Sequence, residues 1–318
     1  MSDVFRPMTL GEILDRTYRL MLVYWRVFVG LGAVPAVAVG AMMIAAIAWW
    51  IISFWPQIFA QPGELPHMPI FPIVLFFASS LIAIPVYALY LPAAMHAATQ
   101  ANLGVKVGFG EAYAVAWQQY GRYLWLMVLL IVYIAGPFYV AGSLIGGGAW
   151  LMVRGAEPGS IPTGIFMLIP VAMLSYFGFL VYAVLMMLRF AVAFPASVVE
   201  NLPARAALRR STTLTCGGRG RIFLVMLVVY LVTYAASMVI MSVLGGIVSL
   251  GALAAMNAHI TAGSMEFYVL IGLGAIAYLL SMAIYAGFTY AAMNTAIAVI
   301  YHDQRWRKDG VTPTALPA

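Results

Sequence analysis

Chemistry needs nucleophiles, acids and bases or metal ligands held close together, and this 318-residue chain has few: ten carboxylates, four histidines and one cysteine. His67, His96, His259 and His302 stand far apart, and no two share a metal-ligand spacing with an acid. A lone Cys216 excludes a disulfide framework and a cysteine-based metal cluster; in its basic surroundings it is a candidate for acylation. Gly217-Gly-Arg-Gly220 lacks the Lys-Ser/Thr and the preceding strand of a phosphate loop. Glu64, Glu157 and Glu266 fall in three separate connections and are weak metal candidates, a cation site only if they converge. No catalytic residue, resident metal or cofactor is expected.

What remains is recognition. Arg189, Arg205, Arg209, Arg210, Arg219 and Arg221 crowd one stretch, and Ala204–Arg221 contains no acid. Each base at a bilayer surface attracts anionic headgroups by about 1 kcal/mol, so these six are the candidate lipid-headgroup ligands. Arg189 closes an apolar run, from which its long side chain can reach the interface. His96 and Asn294, polar groups in apolar segments, are expected to hydrogen-bond between helices.

The elements that must position these groups are membrane spans. Apolar residues make up 64% of the chain and charged residues 8%, where a soluble domain carries about 25% charged. Mean hydropathy is +0.99. A soluble enzyme, a DNA-binding protein and a disordered tail are excluded. The first 26 residues are too charged for a cleaved signal. Six apolar stretches follow, near 27–55, 70–95, 122–151, 164–188, 222–256 and 267–300, each long enough to cross a bilayer. Pro35, Pro72, Pro85, Pro137 and Pro170 predict kinks within them. Short alternating segments, the mark of a β-barrel, are missing.

With six spans, fifteen of the sixteen basic residues fall on the side of the termini, and only Arg154 falls opposite. Positive residues stay in the cytoplasm, so both termini are expected there. This accounts for the net charge of +6 without a nucleic-acid partner. Before the first span, Thr9-x-x-Glu12 reads as a capping box. Leu10, Leu14, Tyr18, Met21, Trp25 and Phe28 recur at helical spacing as an apolar stripe, with Glu12–Arg16 and Asp15–Arg19 pairs opposite. Gly142-x3-Gly146 predicts a close helix approach on the third span, inside the bundle or in a dimer.

The chain also repeats itself. Tyr87-Ala-Leu-Tyr-Leu-Pro-Ala-Ala-Met-His-Ala-Ala98 matches Tyr285-Ala-Gly-Phe-Thr-Tyr-Ala-Ala-Met-Asn-Thr-Ala296 at six positions, and Leu10-Gly-Glu-Ile returns as Phe109-Gly-Glu-Ala. The expected fold class is therefore all-α: six transmembrane helices in three parallel two-helix repeats, each preceded by a cytoplasmic amphipathic helix. The units run over about 8–101, 107–201 and 202–302 of a single membrane domain, with 303–318 a cytoplasmic tail.

The opening Phe5-Arg-Pro-Met-Thr-Leu-Gly-Glu-Ile-Leu-Asp-Arg-Thr-Tyr-Arg-Leu20 resembles the start of the bacterial glycerophosphoryl diester phosphodiesterase membrane-domain family. Pro195-Ala-Ser-Val-Val-Glu-Asn-Leu202, Ala206-Ala-Leu-Arg-Arg-Ser211 and the closing Tyr301-His-Asp-Gln-Arg-Trp-Arg-Lys-Asp-Gly310 carry the same resemblance. It implies a multi-pass protein of the bacterial inner membrane, not an activity, since the histidine pair and metal-binding acids of a phosphodiesterase find no counterpart. The resulting expectation is a non-catalytic scaffold or accessory protein, partnered by anionic lipid of the cytoplasmic leaflet or by a membrane protein. The alternative is a conduit for lipid or an apolar small molecule.

Overall fold

A computed structural model describes residues 7–60, 70–155, 164–257 and 265–310. Every regular element among them is a helix: α1 (Leu10–Ala60), α2 (Ile70–Asn102), α3 (Phe109–Gln118), α4 (Tyr120–Arg154), α5 (Gly164–Phe190), α6 (Ala193–Val199), α7 (Ala204–Thr215), α8 (Arg219–Asn257) and α9 (Met265–Asp309). Six of them contain stretches long and apolar enough to cross a membrane, those of α1, α2, α4, α5, α8 and α9. The chain is an all-α, multi-pass membrane protein by this measure. Local chemistry sets the first helix start: the Thr9 N–H donates to Glu12 Oε2 at 2.7 Å, and the Glu12 N–H donates back to Thr9 Oγ1 at 3.3 Å. At the start of α3, the Gly108 N–H donates to Glu111 Oε2 at 3.3 Å.

Helices α1, α2, α8 and α9 form the inner bundle, with α1 against α9 its largest contact. Small residues allow the close approach: a Cβ on Gly32 would lie 2.8 Å from Gly287 Cα, and one on Gly287 would lie 2.9 Å from Val29 O. Gly142, Gly146, Gly147 and Gly148 meet nothing within 4 Å in the single chain, so within the bundle the close approach lies between the first and last spans and not on the third. The two matching segments, 87–98 and 285–296, face each other across α2 and α9. Tyr87 and Tyr290 hydroxyls are 3.2 Å apart, and Asn294 Nδ2 donates to Tyr90 Oη at 2.8 Å.

Helix α1 departs from expectation in two ways. Its one internal non-helical residue is Tyr24, not a residue at Pro35, and it divides the charged start from the apolar run beyond Arg26. Its buried face is Ile13, Thr17, Met21, Phe28 and Leu31, whereas Tyr18 is 63% and Trp25 51% exposed. The reason is Arg16, whose Nε donates to Asn102 Oδ1 and whose Nη2 donates to Asn102 O at 2.8 Å. Drawing Arg16 inward turns Tyr18, two residues on, outward. The expected Asp15–Arg19 pair is present at 2.8 Å.

The α4–α5 pair stands beside this bundle. Only 11% of the α4 apolar window and 6% of the α5 window is buried within the protein, against 50% in α2. Phe166, Met167, Leu174 and Phe177 lie open. In water such a surface is an aggregation liability; in hydrocarbon it is solvated. Finally, the stretch from 303 that was expected as a tail is helical through Asp309, with Asp303 and Gln304 buried.

Candidate functional site

The site begins with a broken helix. Pro195 has no N–H for the carbonyl of Ala191, and its ring crowds that carbonyl. Accordingly α5 stops at Phe190 and the chain resumes helically at Ala193. The break frees the Arg189 carbonyl, which accepts the hydroxyls of Ser211 at 2.9 Å and Thr215 at 3.2 Å from α7. Helix α7 is aimed by the preceding turn. Asn201 adopts φ 51°, a left-handed conformation that Asn tolerates, and its side chain accepts from Arg122 Nη1. Pro203 then caps α7, which buries Ala204, Ala207, Leu208, Ser211, Leu214 and Thr215.

Between α4, α5 and α7 this arrangement leaves a half-open pocket of about 570 Å³. Helix α7 contributes Arg205, Leu208, Arg209 and Thr212, one stripe at helical spacing. Helix α5 adds Tyr182, Met186, Arg189 and Phe190, and α4 adds Leu129 and Tyr133. The wall is braced by the Tyr182 hydroxyl donating to Tyr133 O at 2.7 Å, and by the Tyr133 and Phe190 rings 5.8 Å apart. Three arginines and no acid line it, so its charge is uncompensated from within. Planar guanidinium groups bind phosphate or carboxylate oxygens bidentately, and the aromatic and aliphatic wall suits the apolar part of an amphiphile.

Two of the other predicted arginines are already engaged, contrary to the expectation that they are free for headgroups. Arg210 Nε donates to both Glu200 oxygens at 2.9 and 3.0 Å, and its Nη groups bind Asp309. The Asp309 carboxylate above all, then Glu200, holds the Arg210 proton more tightly than usual, against the opposite pull of burial. Arg221 pairs with Asp303 Oδ2 at 3.3 Å and donates to the Met8 carbonyl. The α7 stretch has no acid of its own, but the fold delivers three from elsewhere. Arg219 is exposed at the start of α8, outside the pocket.

Sequence reasoning missed these acceptors. Asp303 takes the Met8 N–H at 2.8 Å and Arg307 at 2.9 Å besides Arg221. Glu200 also accepts the Tyr301 hydroxyl at 2.8 Å. The available signal was their rarity: an acid inside a nearly uncharged chain is there for a partner. Of the interhelical polar pair, Asn294 bonds Tyr90 and His96 is buried in α2. Glu64 and Glu157 lie outside the described residues, as do His67 and His259. Glu266 is exposed in the first turn of α9, and among the described residues no three His, Cys, Asp or Glu side chains group to hold a metal ion.

A second space, of about 340 Å³, lies on the other side of Phe190, an open crevice between the inner bundle and the α4–α5 pair. Its walls come from α2, α4, α5, α6, α8 and α9, and Asn294 is the one polar residue lining it. No family model, curated protein or solved structure matches this chain.

Proposed function

We propose that this is a non-catalytic, multi-pass protein of the bacterial cytoplasmic membrane that binds anionic phospholipid headgroups at its basic end and serves as an accessory to a membrane partner. The observation that carries the reading is the pocket of Arg189, Arg205 and Arg209, three cations without an acid at the boundary of an apolar span. At about 1 kcal/mol per base, the trio favours an anionic over a zwitterionic headgroup by roughly 3 kcal/mol. The contrast with Arg210 and Arg221 supports it: a fold that neutralises those two leaves these three free of carboxylates within the pocket.

In this reading the basic end faces the cytoplasm, in keeping with fifteen of sixteen bases on one side. The chain, in this reading, belongs to the membrane-domain family that its opening segment resembles. Three parallel units underlie it. What supports them is that short helices α3 and α7 precede α4 and α8, and that Glu12 and Glu111, 99 residues apart, each accept an N–H from the residue three before.

The test is native mass spectrometry of the full chain released from bilayers of phosphatidylglycerol and phosphatidylcholine. The wild type is expected to retain phosphatidylglycerol, and the combined Arg189→Gln, Arg205→Gln, Arg209→Gln variant to lose that preference. Arg154→Gln, at the opposite end, is expected to behave as wild type. Equal retention by the triple variant would sink the reading. A second reading, a conduit for lipid, is favoured by the apolar crevice beside Phe190. It requires that proteoliposomes move labelled lipid between leaflets faster than protein-free vesicles.

A further inference from the structure

We infer that the arginine pocket and the neighbouring crevice are two halves of one lipid site, the phosphate held by Arg189, Arg205 and Arg209 and an acyl chain passing Phe190 into the crevice between the bundle and the α4–α5 pair. This rests on the headgroup reading above and adds where the tail goes. The default for a bound lipid is that both chains lie along the outward α4–α5 face. The lining and position of the crevice favour it for one of them.

Phe190 lines both spaces, so a single ring is common to the two walls. The crevice is apolar, walled by Leu91, Met95, Ile131, Ile134, Met187 and Met226 among others. Its one amide, Asn294, donates one N–H to Tyr90 at 2.8 Å. Its 340 Å³ is within the range of about 300–1,000 Å³ seen for small-molecule sites. Methionine side chains, flexible and polarisable, suit a lining that must fit a chain with no fixed shape.

Phe190 stands at the junction of the two. It is the last residue of α5, next to the break at 191–192. Its ring lies beside the Arg189 guanidinium, with Cζ 5.8 Å from the ring centroid, and beside Tyr133. A phosphate that draws Arg189 toward Arg205 and Arg209 takes that cation off the ring, so the headgroup and the start of the chain's path meet adjacent residues.

The experiment compares dioleoyl with dihexanoyl phosphatidylglycerol on the full chain in detergent micelles. Ala135→Phe fills the crevice wall without touching the arginines. It is expected to weaken the long-chain lipid by about tenfold, the scale for losing methylenes from an apolar pocket, and to leave the short-chain lipid unchanged. On the wild type, phosphatidylglycerol carrying a diazirine at the chain end is expected to label Met95, Met127 or Met226. If Ala135→Phe does not fold, the labelling decides alone. Label confined to outward residues such as Leu144 and Leu174 overturns the inference, as does unchanged long-chain affinity in Ala135→Phe. The triple arginine variant separates the two levels: it loses both lipids if the headgroup reading holds, and retains both if that reading is what fails.

Discussion

Asp303 is the residue on which the basic end converges. Its side chain is 0% exposed, yet it accepts from Arg221, Arg307 and the Met8 N–H, tying the chain's start to α8 and α9. Removing one partner of a buried pair leaves the others uncompensated, which costs more than the pair itself contributes. Asp303→Asn is therefore expected to destabilise the protein by about 3 kcal/mol. Arg205→Gln, an exposed pocket residue, is expected to stay within about 0.5 kcal/mol of wild type. Thermal unfolding of both variants in the same detergent measures the difference, and equal midpoints would contradict the assignment of Asp303 as the hub.

Among the helices, the α1–α9 crossing is the tightest joint described. Gly287→Val would put a side chain into the Val29 backbone, so α1 and α9 must separate, at about 1–3 kcal/mol for overpacking. Gly146→Leu meets nothing within 4 Å in the single chain and is expected to leave monomer stability unchanged. Unfolding midpoints of the two variants check this, and a Gly287→Val protein as stable as wild type would refute the close approach. The sequence contained both patterns. Gly142-x3-Gly146 is the more conspicuous, but Gly32-x3-Ala36 and Gly287-x3-Ala291 obey the same small-residue rule, and Ala36 and Ala291 are buried. Spacing alone says that a face is smooth. Which smooth face finds a partner depends on where the other helices lie.

For the molecule as a whole, the orientation in the membrane is open to a direct test on its one cysteine. Cys216 is exposed between α7 and α8, at the end that holds Arg210 and Arg221. Positive residues resist translocation, so a membrane-impermeant maleimide is expected to label Cys216 in inverted vesicles and to miss it in intact cells stripped of their outer layer. The reverse pattern would place both termini outside. The same experiment bears on the proposed lipid reading, which needs the arginine pocket on the cytoplasmic side, where anionic lipid is concentrated.

The sequence by itself determined the six spans and the first helix start, because both follow from local rules. A segment in hydrocarbon must satisfy its own backbone and stay apolar for about 20 residues, whatever its neighbours do. The Thr9–Glu12 cap closes within four residues and needs nothing else. Only the tertiary structure decided which arginines are free. Arg210 and Arg221 look like Arg205 and Arg209 in sequence, and differ because Glu200, Asp303 and Asp309 are brought to the first two and not to the pocket. Charge is additive along a chain, whereas its neutralisation requires contact, and the Arg210–Asp309 contact joins residues 99 apart.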